Sequence, residues 1–548
     1  MVKKVWLPLL TTIVFGGIWF YFAIPAINPK HASFWSFLIA LVVVFILSRL
    51  VFTFSLKGIV KKVQKGTTTS ADGTVIEFKQ KKGFKIAVWA VAILLLAGIV
   101  IWLSSSELFN AKKYQQQLPV HTASFQDDIA EMPISQIPIV DKDVAQRLGN
   151  RKLGEVVELT SQFEVSTMYS QINYKNVPTR VSPLQYADLI KWFTNQSEGI
   201  PYYVTIDMAT QETQLVKLEK PMKYGTCEYF NRNLERHIRF HYPTLMFEDP
   251  VFEIDDDGNP YWVVPTYDYK IGVLGGRDIT GIVLVDAVSG ETQRYKINEV
   301  PQWIDNVYPA HLIITQANNW GKYTNGFFNS VIGQRNVIRT TEGYNYLALD
   351  DDIWLYTGLT SVTSDKSNIG FILTNLRTKE TRNYQINGAE ENSAMDSAEG
   401  KVQEKKYQAT FPILINVADQ PTYFVSLKDD AGLVKQFAFV SVENYQVVGV
   451  GDTLQTAQES YIRQLKSIGK ETEGVQNEQS GAVTEITSAV KDGNTNYYFR
   501  LDTGEEIYVA SVQLSDQLPL LKVGDKVKIS FTPDAKGMNQ VSSFERVS

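Results

Sequence analysis

One cysteine, Cys227, stands in a chain of 548 residues, so no disulfide framework and no cysteine-based zinc site can form within a single chain. It lies in Tyr224-Gly-Thr-Cys-Glu-Tyr-Phe, far from the N-terminus, which gives no support to lipoprotein-type acylation; the plain reading is a small buried hydrophobe. Hydrolase and nucleotide signatures are missing too. The chain has no G-x-S-x-G elbow, no S-x-x-K set with K-T-G, no phosphate-binding loop and no convincing Cys/His pair. A glycosidase-type carboxylate pair stays open, because an acidic chain offers many candidates. With 44% hydrophobic and 20% charged residues, neither global disorder nor a polytopic transporter is indicated. The length predicts several domains rather than one core.

What is present begins with apolar runs. Residues 5–27, 34–54 and 86–103 are each long enough to cross a hydrocarbon core, and Arg49, the one charge inside them, sits where it can snorkel. No small-residue cleavage site follows the first run, which argues against a signal peptide. Lys3 and Lys4 precede it, eight lysines fill the loop 55–85, and the short loop between the first two runs has only Lys30. The positive-inside rule then predicts a multi-pass cell-membrane protein with its N-terminus and basic loop cytoplasmic and everything after Leu103 extracytoplasmic. Residues 1–104 hold 12 of the 53 basic and 2 of the 59 acidic residues, leaving a balance of −16 beyond them. So acidic an outer region is poorly suited to nucleic acid. The bilayer is the expected first partner, and an envelope protein or a second copy of the chain the second.

The outer region repeats itself. Residues 281–297, GIVLVDAVSGETQRYKI, read as a β-hairpin with turn chemistry from Asp286 to Gly290. The layout recurs at 203–218 and 371–386, where Asp207 and Asn375 are followed five residues later by Glu212 and Glu380 as Asp286 is by Glu291; a looser copy spans 437–450. The second and third hairpins follow a strand, an acidic turn and a strand, the fourth copy begins in a similar way, and the intervals are too long and uneven for a short-period solenoid. The hairpin resembles the D-x-x-[ST]-G-E signature of PepSY-type domains, best at Asp286-Ala-Val-Ser-Gly-Glu; Asp207-Met-Ala-Thr-Gln-Glu and Asn375-Leu-Arg-Thr-Lys-Glu lack the glycine. That resemblance implies consecutive α+β modules, each a helix followed by an antiparallel meander. The last seventy residues show five short strands with turns at Asp492-Gly, Asp502-Thr-Gly and Val523-Gly-Asp-Lys, resembling an OB-type barrel. On a strand, Tyr497, Tyr498 and Phe499 point alternately in and out, so core packing accounts for part of a set that would otherwise suggest base stacking.

The fold class expected is α+β: a transmembrane region to residue 104, a stalk over 105–153, repeated modules over 154–468, a linker at 469–480 and a small β-barrel over 481–548. Helices are expected at 182–193 with Ser182 as N-cap, at 229–241, and at 452–468 capped by Asp452, with short helical or irregular pieces over 303–333. Residues 388–406 read as a surface helix or an insertion. For metal chemistry the candidates are His237 and His241, four apart on one helix, and Asp255 and Asp257 in Asp255-Asp-Asp-Gly-Asn. The first pair lacks the glutamate of H-E-x-x-H, with Ile238 in its place, and Arg236 and Arg239 stand nearby. In the second, Gly258 is the fourth residue where a calcium loop needs the sixth. No catalytic residue and no cofactor is singled out. The function that follows is a non-enzymatic membrane-anchored scaffold, binding or regulatory protein of the cell envelope. An extracytoplasmic enzyme of wall or protein turnover, or an accessory subunit of a transport or secretion complex, are the alternatives.

Overall fold

The computed structural model describes residues 3–53, 82–362, 364–468, 477–491, 494–532 and 538–547. Most of the expected basic loop, and residues 469–476 of the expected linker, lie outside the described residues. The chain divides into two compact units, one of residues 1–124 and 135–391, the other of residues 125–134 and 392–548.

The first unit opens with the helices Lys3–Ala23 and Ala32–Thr53, whose stretches Trp6–Ala23 and Ala32–Val51 are long and apolar enough to cross a membrane. Gly16 lets them close, since a Cβ there would stand 2.9 Å from Leu41, and Thr11 Oγ1 donates to Ser48 Oγ at 2.9 Å. A third helix covers Lys82–Ser105.

Four open sheets among the described residues repeat one plan. The first runs Phe163–Val165, Ser170–Tyr174, Val177–Tyr186, Ile200–Asp207 and Thr213–Met222. Its two short strands share one edge of the long third strand, and the fourth and fifth follow in order. The same arrangement holds for strands within 246–296, 338–384 and 408–451. A helix precedes each sheet: Lys142–Gly154, Leu234–His241, Ala310–Lys322 and Glu391–Lys401. In three copies the turn between the second and third strands is two residues long with both φ positive: Lys175-Asn176, Asp350-Asp351 and Ala418-Asp419. That conformation matches the twist of the paired strands. The second copy uses the longer turn between Ile254 and Pro260. Helix Ala310–Lys322 shares one core with the second and third sheets: Leu312 and Ile313 meet Val263, Ile282 and Leu284 from one side and Ile353, Leu355 and Ile372 from the other.

The structure corrects several expectations. Residues 105–153 are not a stalk. They contain the helix Glu107–Gln115, the strand Val120–Ala123 paired in parallel with Thr381–Tyr384, and the helix Lys142–Gly154. A polar stretch with scattered prolines and apolar pairs reads as a stalk that becomes partly structured, yet Ala111 and Tyr114 bury against Ile271 and Tyr323. The helix expected over 182–193 is instead a strand to Tyr186, with Val181 opposite both Ser170 and Thr205 and Ser182 Oγ donating to Ser166 O at 3.0 Å. Pairing on two sides outweighs an apolar spacing of three residues. The helix that follows is only Leu189–Asn195, capped by Asp188, whose Oδ1 accepts from Lys191 N at 2.8 Å.

In the second unit, helix Leu454–Ser467 is capped by Thr453 rather than Asp452, whose Oδ1 accepts from Gln436 Nε2 at 2.5 Å. Strands Asn477–Lys491, Asn494–Leu501, Ile507–Ser511, Lys526–Thr532 and Met538–Val547 close a barrel, the first pairing with both the second and the fourth, and the third in parallel with the fifth. Residues 477–480, expected in the linker, are thus barrel strand. Phe499 is buried in the barrel core and Tyr497 packs at its margin.

Candidate functional site

The hairpin residues Asp207, Asp286 and Asn375 do one job three times. Each side-chain Oδ1 accepts from the two following turn amides: Ala209 and Thr210 at 2.8 and 3.0 Å, Val288 and Ser289 at 2.7 and 2.9 Å, Arg377 and Thr378 both at 2.9 Å. The hydroxyls of Thr210, Ser289 and Thr378 then accept from the amides of Glu212, Glu291 and Glu380. The residue between, Gln211, Gly290 or Lys379, is left-handed with φ of 64°, 76° and 67°. Every position of the signature except the glutamate side chain is therefore turn chemistry. The glycine of the second copy has a further reason, because a Cβ on Gly290 would stand 2.4 Å from the Tyr224 ring.

The turns of the second copy face the sheet of the first across a cleft of about 1090 Å³. Tyr203, Thr205, Gln214 and Val216 line it from the first sheet; Asp257, Gly258 and Asn259 line it from one turn, Asp286, Val288 and Ser289 from the next. Tyr203 OH donates to Gly258 O at 2.9 Å and fixes the two copies together. Lys175, Lys217 and Lys220 oppose Asp207, Glu212, Glu219, Asp257 and Asp286, which leaves the lining net acidic. Its outer border is the strand Thr213–Met222, which among the described residues pairs only with Ile200–Asp207. Such an open edge offers backbone donors and acceptors to an extended ligand.

A second polar cluster, missed in the sequence, joins the first three copies. Glu253, fully buried, accepts from the amides of Asp305 and Asn306 at 3.0 and 2.9 Å and from Asn306 Nδ2 at 2.9 Å. Asp305 Oδ2 accepts from Asn173 N at 2.7 Å. Burial pushes the Glu253 carboxyl up to about 7, and burial beside Glu253 pushes Asp305 well above the usual carboxylate range. Nearby, Arg377 grips Asp352 through Nε and Nη2 at 2.6 and 2.8 Å, and Lys379 Nζ holds both oxygens of Asp278 at 2.7 and 2.9 Å. The only sequence signal for this cluster was a glutamate inside the apolar strand Val251–Ile254.

The structure brings Asp207, Glu212, Asp257 and Asp286 to the cleft and leaves Asn375 and Glu380 away from it. Asp255 closes its own turn, its Oδ1 accepting from the amides of Asp257 and Asn259. The rings of His237 and His241 lie 4.5 Å apart, tilted by 53°, but each has a ring nitrogen on a backbone carbonyl: Gly290 O for His237 Nε2, at 2.7 Å, and His237 O for His241 Nδ1, at 2.8 Å. Burial also lowers the His237 pKa. Among the described residues no group of three or more His, Cys, Asp or Glu side chains could hold a metal ion.

No protein-family model matches the chain, and no curated protein matches it. Among solved structures, the chain is similar to the crystal structure of the tetrameric p202 HIN2 at 12% identity, over 26% of this chain and 90% of that one, with a TM-score of 0.12, a likeness that carries no argument.

Proposed function

We propose that this chain is a membrane-anchored scaffold or binding protein of the cell envelope, with PepSY-like modules, an OB-like barrel, and the cleft between the first two modules as its binding surface. The observation that carries this reading is the fate of the signature residues. Asp207, Asp286 and Asn375 are consumed in building turns, so what the repeat delivers is shape and an open strand edge rather than a reactive group. The ligand is another envelope protein or a second copy.

Support for three crossings comes from where the helices meet the modules. In the turn after the first helix, Ile27 N donates to Pro243 O at 2.7 Å and Lys30 pairs with Asp268 at 2.7 Å. At the end of the third helix, Ser105 Oγ accepts from the amides of Val273 and Leu274 at 3.1 and 2.9 Å. Both attachments support a reading in which these helix ends lie on the side of the modules and the N-terminus and the lysine-rich loop on the other. Cysteines placed at Ser70 and at Thr503, an exposed turn of the barrel, test this with a membrane-impermeant maleimide on intact cells. Only Thr503→Cys is expected to react; labelling of Ser70→Cys alone reverses the orientation. Native Cys227 contributes little background, because burial pushes its thiol up to about 12. For the cleft, a photo-crosslinking residue at Val216 is expected to give a discrete protein adduct in membranes that Lys217→Glu weakens. No adduct at Val216 removes the cleft from consideration.

A further inference from the structure

Large apolar side chains exposed on the modules of the first unit gather in two clusters. One cluster lies beside the end of the first helix. Ile190 and Phe193 are 71% and 70% exposed on the short helix Leu189–Asn195, with Phe230 and Phe240 also bare to solvent. Phe240 meets the rings of Phe20 and Tyr21 at 5.4 and 6.0 Å. Arg236 clamps the two parts, donating from Nε to Tyr21 O at 2.8 Å and from Nη1 to Phe230 O at 2.6 Å. Trp192 bridges Phe193 and Phe230 at 6.4 and 5.9 Å.

The other cluster lies beside the end of the third helix. Phe109, in the helix that follows it, is 68% exposed, and Phe328 and Ile332 are 69% and 81% exposed. Phe328 leans on Phe327 at 5.8 Å, and Phe327 packs against Ala111, Tyr114 and Tyr323. The turn carrying exposed Leu274 is bonded to Ser105. Its Gly272 is required there, since φ is +59° and a Cβ would stand 2.3 Å from Ser104 O. Away from these two clusters, Val157, Val177 and Tyr344 are the large apolar side chains that the described modules of this unit expose, and they stand singly.

An isolated exposed hydrophobe needs no explanation, whereas contiguous groups mark a contact surface. Both clusters sit where an apolar helix joins the modules, and both are rich in phenylalanine. The surface continuous with them is that of helices suited to lipid. We propose that the first unit lies against the bilayer and inserts these two clusters at the headgroup boundary of the leaflet where the first and third helices emerge. Short segments such as Leu189–Asn195 then act as interfacial anchors that hold the modules at a fixed height and tilt. The acyl chains bury apolar area that water otherwise covers.

This inference rests on the membrane-anchor reading, and the test separates the two. The full chain, carrying Cys227→Ala and single cysteines labelled with an environment-sensitive fluorophore, is reconstituted into phosphatidylcholine–phosphatidylglycerol vesicles with or without lipids brominated either near the headgroup, to reach the clusters, or at mid-chain, to reach the middle of the second helix. Positions Phe193 and Ile332 report the clusters, Val43 reports the second helix, and the exposed turn residue Asp257 is the control. At least a two-fold quenching at Phe193, Ile332 and Val43, with none at Asp257, is expected. Quenching at Val43 alone overturns the inference and leaves the anchor standing; no quenching at Val43 overturns the anchor and the inference with it. Disulfide dimerisation through unlabelled Phe193→Cys, without lipid quenching there, assigns the cluster to a second copy and also overturns it.

Discussion

The second and third meanders and the fourth solve the same problem with different materials. In the first unit, the second and third sheets share a helix between them, and ionisable groups are buried around their junction: Lys379 on Asp278 across it, Arg377 on Asp352 within the third copy, and the carboxyls of Glu253 and Asp305. In the second unit, the fourth sheet is covered by helix Leu454–Ser467, where Tyr461 stacks on Phe439 at 6.2 Å and its hydroxyl stands 3.0 Å from Thr422 Oγ1. Gly449 and Gly451 let that helix touch the sheet backbone. One topology is thus sealed by paired charges in one place and by shape in the other. The first should be sensitive to protonation and charge removal, the second to volume.

The sharpest break comes from Lys379→Met. It leaves Asp278 with Gln316 as its side-chain partner and is expected to cost about 3 kcal/mol. The loss should appear as faster hydrogen exchange over residues 304–317, with the fourth meander unchanged; equal exchange in both regions would end the contrast.

Next is pH. The Glu253 carboxyl is raised from 4.5 to about 7 in the folded chain, so its neutral form is favoured by folding. Its stabilising effect is complete below pH 4.5 and fades as pH rises through 7. A change on the order of 3 kcal/mol follows from a shift of that size. Denaturation of the first unit, followed by exchange, should therefore become easier from pH 5 to pH 8. Glu253→Gln keeps an acceptor for the amides of Asp305 and Asn306 and removes the carboxyl that titrates, so it should flatten that slope. An unchanged slope would show that this carboxyl is not its source.

In the second unit, Gly449→Ala places a methyl 2.1 Å from Tyr461 N and should cost about 1–3 kcal/mol by displacing the helix, with no dependence on pH. The smallest effects concern the signature itself. Asp286→Ala removes two turn hydrogen bonds, at about 1 kcal/mol, whereas Glu291→Ala, exposed, should stay within about 0.5 kcal/mol. A larger loss from Glu291 than from Asp286, in stability or in crosslinking at Val216, would move the glutamate from turn to binding surface.

Legibility followed the range of the interactions. The hairpins at 281–297 and 371–386 were readable because turn residues and alternation act within a few positions, and the structure has strands at Gly275–Asp286 and Thr292–Lys296 as that reading requires. The five barrel strands were readable for the same reason. The helix placed at 182–193 failed because Leu184, Ala187, Ile190 and Phe193 mimic one helical face, while Leu184 pairs with Val165 on one side and its neighbour Pro183 with Tyr203 on the other. The residues 105–153 looked like a stalk because Val120–Ala123 finds its partner more than two hundred residues away.

The sequence alone determined the apolar helices at the N-terminus, the meander hairpins with their Asx turns, and the barrel strands, since each is specified by composition or by neighbours in the chain. Tertiary structure decided the rest. Nothing local distinguishes Glu253 from a surface glutamate in a strand, or Lys379 from Gln211 at the same turn position; their burial against Asp305 and Asp278 arises when separate copies meet. The cleft and the exposed phenylalanines belong to the same class. A helix face or a strand edge is written into a sequence, but whether another part of the chain covers it is settled only when distant segments compete for the same surface.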